Sequence, residues 1–169
     1  MAITWRNEMS VDGGIIDEDH KCLIDLVNAV DLVKPGPMML AELNKILAKL
    51  CEYARVHFDR EERLQVASAF TYAQAHRSRH RALVGDLQSM IAACNATAPE
   101  ELGEFRLRLS EFLFHWLRDR IVKVDLLMKP FVEDMRRHAK AAAPLSQVVQ
   151  MLIPVLLSGD RFCPATLGD

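Results

Sequence analysis

The stretch LAELNKILAKLCEYARVHFDREERL, residues 40–64, decides the fold that this sequence predicts. Most of its apolar residues recur every three or four positions, a spacing that places side chains on one face of an α-helix. This stripe comprises Leu40, Leu43, Leu47, Leu50, Ala54, His57, Glu61 and Leu64. A long helix with an inward apolar stripe is typical of a helical bundle, so the neighbouring segments should carry matching stripes.

Matching stripes do occur in the segments before and after this helix. The earlier one comprises Ile16, His20, Leu23, Val27 and Val30, and the later one comprises Ala73, His76, His80, Leu83, Leu87, Met90 and Cys94. A fourth helix is expected after Pro99, because proline suits the first turn of a helix and the acids that follow it suit the helix dipole. Strand-like alternation is absent from the sequence. The four segments are therefore predicted to pack around one seam.

Turn signals set the bounds of the predicted helices, which are about 17–33, 38–67, 71–95 and 99–129. Lys34 to Pro37 should stop the first helix, Thr71 should cap the third, and Pro130 should end or kink the fourth. Short connections favour antiparallel neighbours. The sequence thus predicts an all-α, antiparallel up-down-up-down four-helix bundle with an N-terminal arm. Residues 1–135 would form the bundle domain, and residues 136–169 a C-terminal helical extension.

Six residues that can bind metals are aimed at the axis of this bundle. They are His20, His57, Glu61, His76, His80 and Asp125. A spacing of four residues stacks His57 with Glu61 on one side of a helix, and the same spacing stacks the two histidines of the third helix. Imidazole and carboxylate groups in a core are costly unless something satisfies them. A metal ion is the simplest partner that satisfies several of them at once.

The kind of metal follows from the mixture of ligands. One pair of ligand types at helical spacing is weak evidence, because a lone core histidine is more often hydrogen-bonded than ligating. Six candidates at compatible depths in four consecutive helices are a stronger signal. Zinc and iron both accept imidazole, but carboxylates that can bridge two ions favour a di-iron or di-manganese centre.

The same residues give the chain its resemblance to bacterial hemerythrins over roughly residues 1–130. The matching motifs are Trp5, Met9-Ser10-Val11, Ile16-Asp17-Glu18-Asp19-His20-Lys21, His57-Phe58-Asp59-Arg60-Glu61-Glu62, His76-Arg77-Ser78-Arg79-His80, and Trp116-Leu117 followed by Ile121 and Asp125. The resemblance implies a non-haem di-iron centre, oxo- or hydroxo-bridged, that binds dioxygen reversibly. It further implies that His20 and His57 hold the iron with the open position. His76 and His80 would then hold the second iron, with Glu61 and Asp125 as bridges.

Arg120 departs from the pattern of the family, which has a ligand histidine at this position of the fourth helix. Arginine stays protonated and cannot donate a lone pair to a metal. Its side chain could extend its head to water, or it could form an ion pair with Asp125 or Glu61. His115 lies on another face and Asp119 is about 100° around the helix, so neither replaces the missing ligand in a regular helix.

With arginine at position 120, three alternatives remain for the number of metal ions in the site. The expected one is a complete di-iron site in which water or hydroxide fills the gap. The others are a half-occupied site built on His20 and His57, and a bundle that has abandoned metal.

Composition narrows the functional class further. The 169 residues have a net charge of −2 and no basic stripe, so we expect no nucleic-acid partner. No apolar run is long enough for a membrane span, and the first ten residues do not form a signal peptide, so a cytoplasmic location is expected. The four cysteines show no close paired spacing, so reduced thiols are expected rather than a disulfide framework. The apolar segment 145–157 would cap the bundle, bind a protein partner or mediate self-association.

The predicted function is therefore reversible binding of dioxygen, or of a related diatomic, for storage, delivery or sensing. On this view the protein is an oxygen-binding protein rather than an enzyme. One alternative is oxidase or peroxidase chemistry, because an iron short of one imidazole has an extra open position. The other is a signalling or interaction module that reports oxygen or redox state to a partner.

Overall fold

The computed structural model describes residues 1–142, and this range is helical almost throughout. Its α-helices are α1 (Ile15–Leu32), α2 (Met39–Ala67), α3 (Ala73–Ala96), α4 (Leu102–Lys123) and α5 (Lys129–Ala142), with 3₁₀ turns at Asn7–Met9, Pro99–Glu101 and Asp125–Met128. No strand occurs within these residues. The predicted all-α class is confirmed.

The first four helices form the antiparallel bundle that the sequence predicts. α1 packs against α2 and α4, and α2 packs against α3. The connections 33–38, 68–72 and 97–101 are too short to let consecutive helices run in the same direction. Most leucines of the predicted stripes are almost completely buried, among them Leu23, Leu43, Leu47, Leu50 and Leu87. Each such side chain contributes roughly 1.5–3 kcal/mol by its burial.

Two apolar clusters of unequal size divide the interior. The larger one includes Leu50 and Ala54 of α2, and the smaller one contains Val11, Ile16, Leu64, Phe70, Met128 and Val132. His57 and Glu61 of α2 lie in sequence between Ala54 and Leu64. The inward polar residues therefore occupy a layer with apolar side chains on both sides.

The N-terminal arm is fastened to the start of α1 by Asp17. Its carboxylate accepts hydrogen bonds from Ser10 Oγ (2.5 Å), Val11 N (2.8 Å) and Gly13 N (2.9 Å). Gly13 has a φ of +60°, a conformation that glycine adopts at little cost. In return, Asp12 Oδ1 accepts from the backbone N–H of Asp17 at 3.2 Å. The arm is thus a folded part of the bundle that runs back along α1, where the Ile3 N–H donates to Asn28 Oδ1 at 2.8 Å.

Two of the predicted helix boundaries are wrong. α4 ends at Lys123 instead of 129, because Pro130 does not end this helix but lies in the first turn of α5, where its missing N–H costs nothing. Thr71 does not cap α3, whose N-cap residue is Tyr72 without a side-chain cap. The extension predicted at 145–157 lies outside the described residues, and the division at residue 135 stays a prediction.

Cys51 and Cys94 are buried free thiols, as expected. Within residues 1–142, none of the helices is both long enough and apolar enough to cross a membrane.

Candidate metal centre

All six predicted ligands lie together in the interior. Their exposed fraction is at most 2%. They form two groups of three, His20 with His57 and Asp125, and Glu61 with His76 and His80. Within each group, one ligand atom from every residue lies within 4.8 Å of the others. Two triads of potential metal ligands therefore lie side by side, and the role of the six residues as ligands stays a prediction.

The first group draws one residue from each of three elements. His20 comes from α1, His57 from α2, and Asp125 from the 3₁₀ turn after α4. His20 Nε2 is 3.3 Å from Asp125 Oδ2, and the rings of His20 and His57 are 4.8 Å apart between centroids. The sequence placed Asp125 in a continuous fourth helix. The structure instead unwinds the chain after Lys123, and the carboxylate points inward from that turn.

The second group combines Glu61 of α2 with two histidines of α3. Glu61 Oε1 is 3.2 Å from His76 Nε2, and Glu61 Oε2 is 3.0 Å from His80 Nε2. The groups also touch each other, because His76 Nε2 is 3.3 Å from Asp125 Oδ1. Glu61 Oε2 in turn is 3.8 Å from His57 Nε2. Each carboxylate thus reaches histidines of both groups, as a bridging ligand would have to do.

The first group fits a metal ion because donor atoms of two of its residues are buried without hydrogen bonds. Both ring nitrogens of His20 and both oxygens of Asp125 find no hydrogen-bond partner in the part of the chain that the structure describes. Buried polar atoms are normally satisfied, and leaving several unpartnered in one place is costly. A cation held by these atoms would remove that cost, and imidazole with carboxylate is a donor set that iron accepts.

A second layer of acids orients the histidines. Asp19 Oδ2 lies 3.5 Å from His57 Nδ1, while Asp19 Oδ1 accepts hydrogen bonds from Tyr53 Oη (2.8 Å) and Arg60 Nη1 (2.7 Å). Glu62 Oε1 lies 2.8 Å from His80 Nδ1. A carboxylate at Nδ1 holds the proton on that nitrogen and leaves the Nε2 lone pair facing the centre.

These orienting residues were not singled out from the sequence. Asp19 and Glu62 directly neighbour the candidate ligands His20 and Glu61, and that adjacency is the signal that could have found them. Asp19 is 1% exposed, so its charge is balanced inside the protein by Arg60.

Aromatic rings surround the histidines and keep water away. Phe58 stacks on His80 with centroids 4.0 Å apart and planes at 7°. Phe70 meets His76 edge to face at 5.8 Å. Trp5 of the arm lies 6.3 Å from His20. Such a shell lowers the local dielectric constant and strengthens every charge interaction inside it.

Arg120 points into the second group and not to solvent. Its Nη2 donates to Glu61 Oε2 at 2.8 Å, and the same atom contacts Nε2 of both His76 and His80. Nε of Arg120 is 2.8 Å from Asp125 Oδ1, although out of line for a hydrogen bond. Of the two alternatives that the sequence left open, the ion pair is the one found, with both acids as partners. His115 is exposed and Asp119 pairs with Lys123 at the surface, so neither substitutes for a ligand.

The charges of the site follow from these contacts. Burial raises the pKa of Glu61, but the Arg120 guanidinium and the neighbouring histidines outweigh it, and the pKa lies well below its usual range. Burial lowers the pKa of His57, which favours the neutral imidazole that a metal requires. Burial would also lower the pKa of His20, but the adjacent Asp125 carboxylate raises it overall.

Comparison with known proteins gives consistent matches. A family model described as the hemerythrin HHE cation-binding domain matches residues 14–132. A bacteriohemerythrin of Methylococcus capsulatus is 31% identical over 133 residues, which cover 76% of this chain and 95% of that protein. Bacteriohemerythrins of Pseudomonas paraeruginosa and Pseudomonas aeruginosa are each 23% identical over 118 residues, covering 69% of this chain and 75% of those proteins.

Proposed function

Because the chain belongs to the hemerythrin family, whose members bind iron and dioxygen, we propose that it binds dioxygen or a related diatomic reversibly at iron. The use would be storage, delivery or sensing. The observation that carries the proposal is the buried group of His20, His57 and Asp125, in which the ring nitrogens of His20 and the oxygens of Asp125 lack hydrogen-bond partners among residues 1–142.

The iron would supply an open coordination position for the diatomic, and the protein would supply its surroundings. His20 and His57 would hold the ion that carries this position. Asp19 would keep the proton of His57 on Nδ1, 3.5 Å away, so that Nε2 stays available. The apolar layers on both sides exclude water from the ligand. The sequence predicts two irons bridged by Glu61 and Asp125, but the proposed function requires only one iron with an open position.

Residues 1–135 are proposed to form the unit that carries this activity. The aromatic residues Trp5 and Phe70, which lie beside the histidines, belong to this unit. The segment 145–157 is proposed, from its apolar sequence, as a surface for a protein partner or self-association.

The experiment is an anaerobic reconstitution followed by an optical titration with oxygen. We expect the iron-loaded protein to gain an absorption band on exposure to dioxygen and to lose it when the gas is removed with argon. His57→Ala should abolish the band, whereas His115→Ala, which replaces an exposed histidine, should leave it unchanged. A well-folded protein that binds no iron, or a spectrum that never reverts, would contradict the proposal.

A further inference from the structure

One atom of Arg120 lies where the second metal ion would have to lie. Its Nη2 contacts Glu61 Oε2, His76 Nε2 and His80 Nε2, which are the three donors of the second group. A metal ion held by these donors would sit about 2.0–2.2 Å from each of them. That place overlaps the guanidinium nitrogen, so the ion and the arginine cannot be present there together.

Contacts with other residues also hold the guanidinium in this position. Arg120 is 5% exposed, its Nε lies 2.8 Å from Asp125 Oδ1, and its guanidinium carbon lies 5.4 Å from the centre of the Phe58 ring. If the guanidinium left the pocket, both of its ion pairs would break. The Glu61 carboxylate would then be buried without a cation beside it. Removing one partner of a buried pair is strongly unfavourable because it leaves an uncompensated charge.

We propose that Arg120 takes the place of the second metal ion, so that the centre holds one iron and not two. The guanidinium supplies the positive charge that Glu61 needs, but it offers no lone pair and no open position. The remaining ligands are two imidazoles and one carboxylate from His20, His57 and Asp125. This set is typical of mononuclear non-haem iron sites with open positions. The inference rests on the proposed function only in taking iron as the metal.

The proposal is tested by counting iron in three proteins titrated anaerobically with ferrous ion and then desalted. Wild type should retain one iron per chain. Arg120→His removes the fixed charge, offers an imidazole to the second group, and should retain two. Arg118→His makes the same exchange at an exposed position of α4 and should retain one. Two irons in wild type, or one in Arg120→His, would overturn the proposal.

Electron paramagnetic resonance of the oxidised proteins gives a second readout that does not depend on gas binding. An isolated high-spin ferric ion has half-integer spin and gives a signal, whereas two ferric ions coupled through a bridge give none. Wild type and Arg118→His should therefore show the signal, and Arg120→His should lose most of it. A silent wild type containing bound ferric iron would contradict the single-ion centre.

The proposal can still be tested if one of the variants does not fold. The iron count and the resonance signal of wild type already decide between one ion and two. Arg120→Gln, which removes the cation and keeps a polar side chain, should admit a second, weakly held iron. One iron without reversible oxygen binding would refute the proposed function and leave this inference intact. No iron in the folded wild type would overturn both.

Discussion

Replacing Asp19 by Asn tests which group of ligands holds the metal. The amide would keep one oxygen for Tyr53 and Arg60, but its N–H₂ group would stand where Oδ2 now lies, 3.5 Å from His57 Nδ1. An amide nitrogen donates and cannot accept, so it favours the His57 tautomer with the proton on Nε2. That tautomer has no lone pair at the metal position. Losing such an orienting partner typically weakens metal affinity about 10–100-fold, which is roughly 1.4–2.7 kcal/mol.

Glu62→Gln is the matched change in the second group, because Glu62 lies 2.8 Å from His80 Nδ1. With Arg120 in place of the second ion, this variant should keep its iron affinity within about twofold of wild type, since no metal depends on His80. The assay is an anaerobic competition between each protein and a ferrous chelator, with melting of the metal-free proteins as a control for folding. Unchanged affinity in Asp19→Asn, or equal weakening in both variants, would refute the reasoning.

Two further predictions concern stability. Asp17→Ala should destabilise the protein by about 2–4 kcal/mol, because the buried N–H groups of Val11 and Asp12 lose their acceptor. Burial raises the pKa of Asp17, but hydrogen bonds from Ser10 and the arm backbone bring it below its usual 3.8. Its stabilisation is therefore complete above about pH 4 and lost as the pH falls through the folded pKa, so urea denaturation should show the two proteins converging in acid. Glu61→Gln should lower the melting temperature of the metal-free protein, because Arg120 loses a buried carboxylate; an effect seen only with iron would contradict this role.

Periodicity was sufficient to predict the bundle, because an apolar stripe on a helix must be buried against other helices. The start of α2 and its end at Ala67 agree with the predicted range to within one residue. The end of α4 was predicted wrongly because a proline can either end one helix or lie in the first turn of the next. The sequence does not show which of the two applies to Pro130. In the structure the break comes earlier, and fully buried Met128 lies in the turn between the helices.

Helical periodicity also predicted part of the metal site. Inward positions follow from spacing, so the five candidates on α1, α2 and α3 were predicted to face the interior before their distances were known, whereas Asp125 lies in a 3₁₀ turn where helical spacing does not apply. The contacts between side chains of different helices do not follow from spacing. The pairing of Asp19 with Arg60 depends on the rotation of α1 against α2, which periodicity does not specify. The direction of Arg120 was likewise left open, because a long side chain can reach either water or the interior.

The balance of charge in the interior gives a reason for the single-ion centre that is independent of distances. The network around the histidines buries three carboxylates, Asp19, Glu61 and Asp125, and two guanidinium groups, Arg60 and Arg120. One negative charge is left over. A single ferrous ion changes this to one positive charge, whereas two ferrous ions would leave three in a region that water does not reach. Because an uncompensated buried charge is expensive, a second ion would need either extra anionic ligands or the loss of Arg120. The substitution of Arg120 by a neutral residue therefore both clears the second position and removes one of the charges that oppose its occupation.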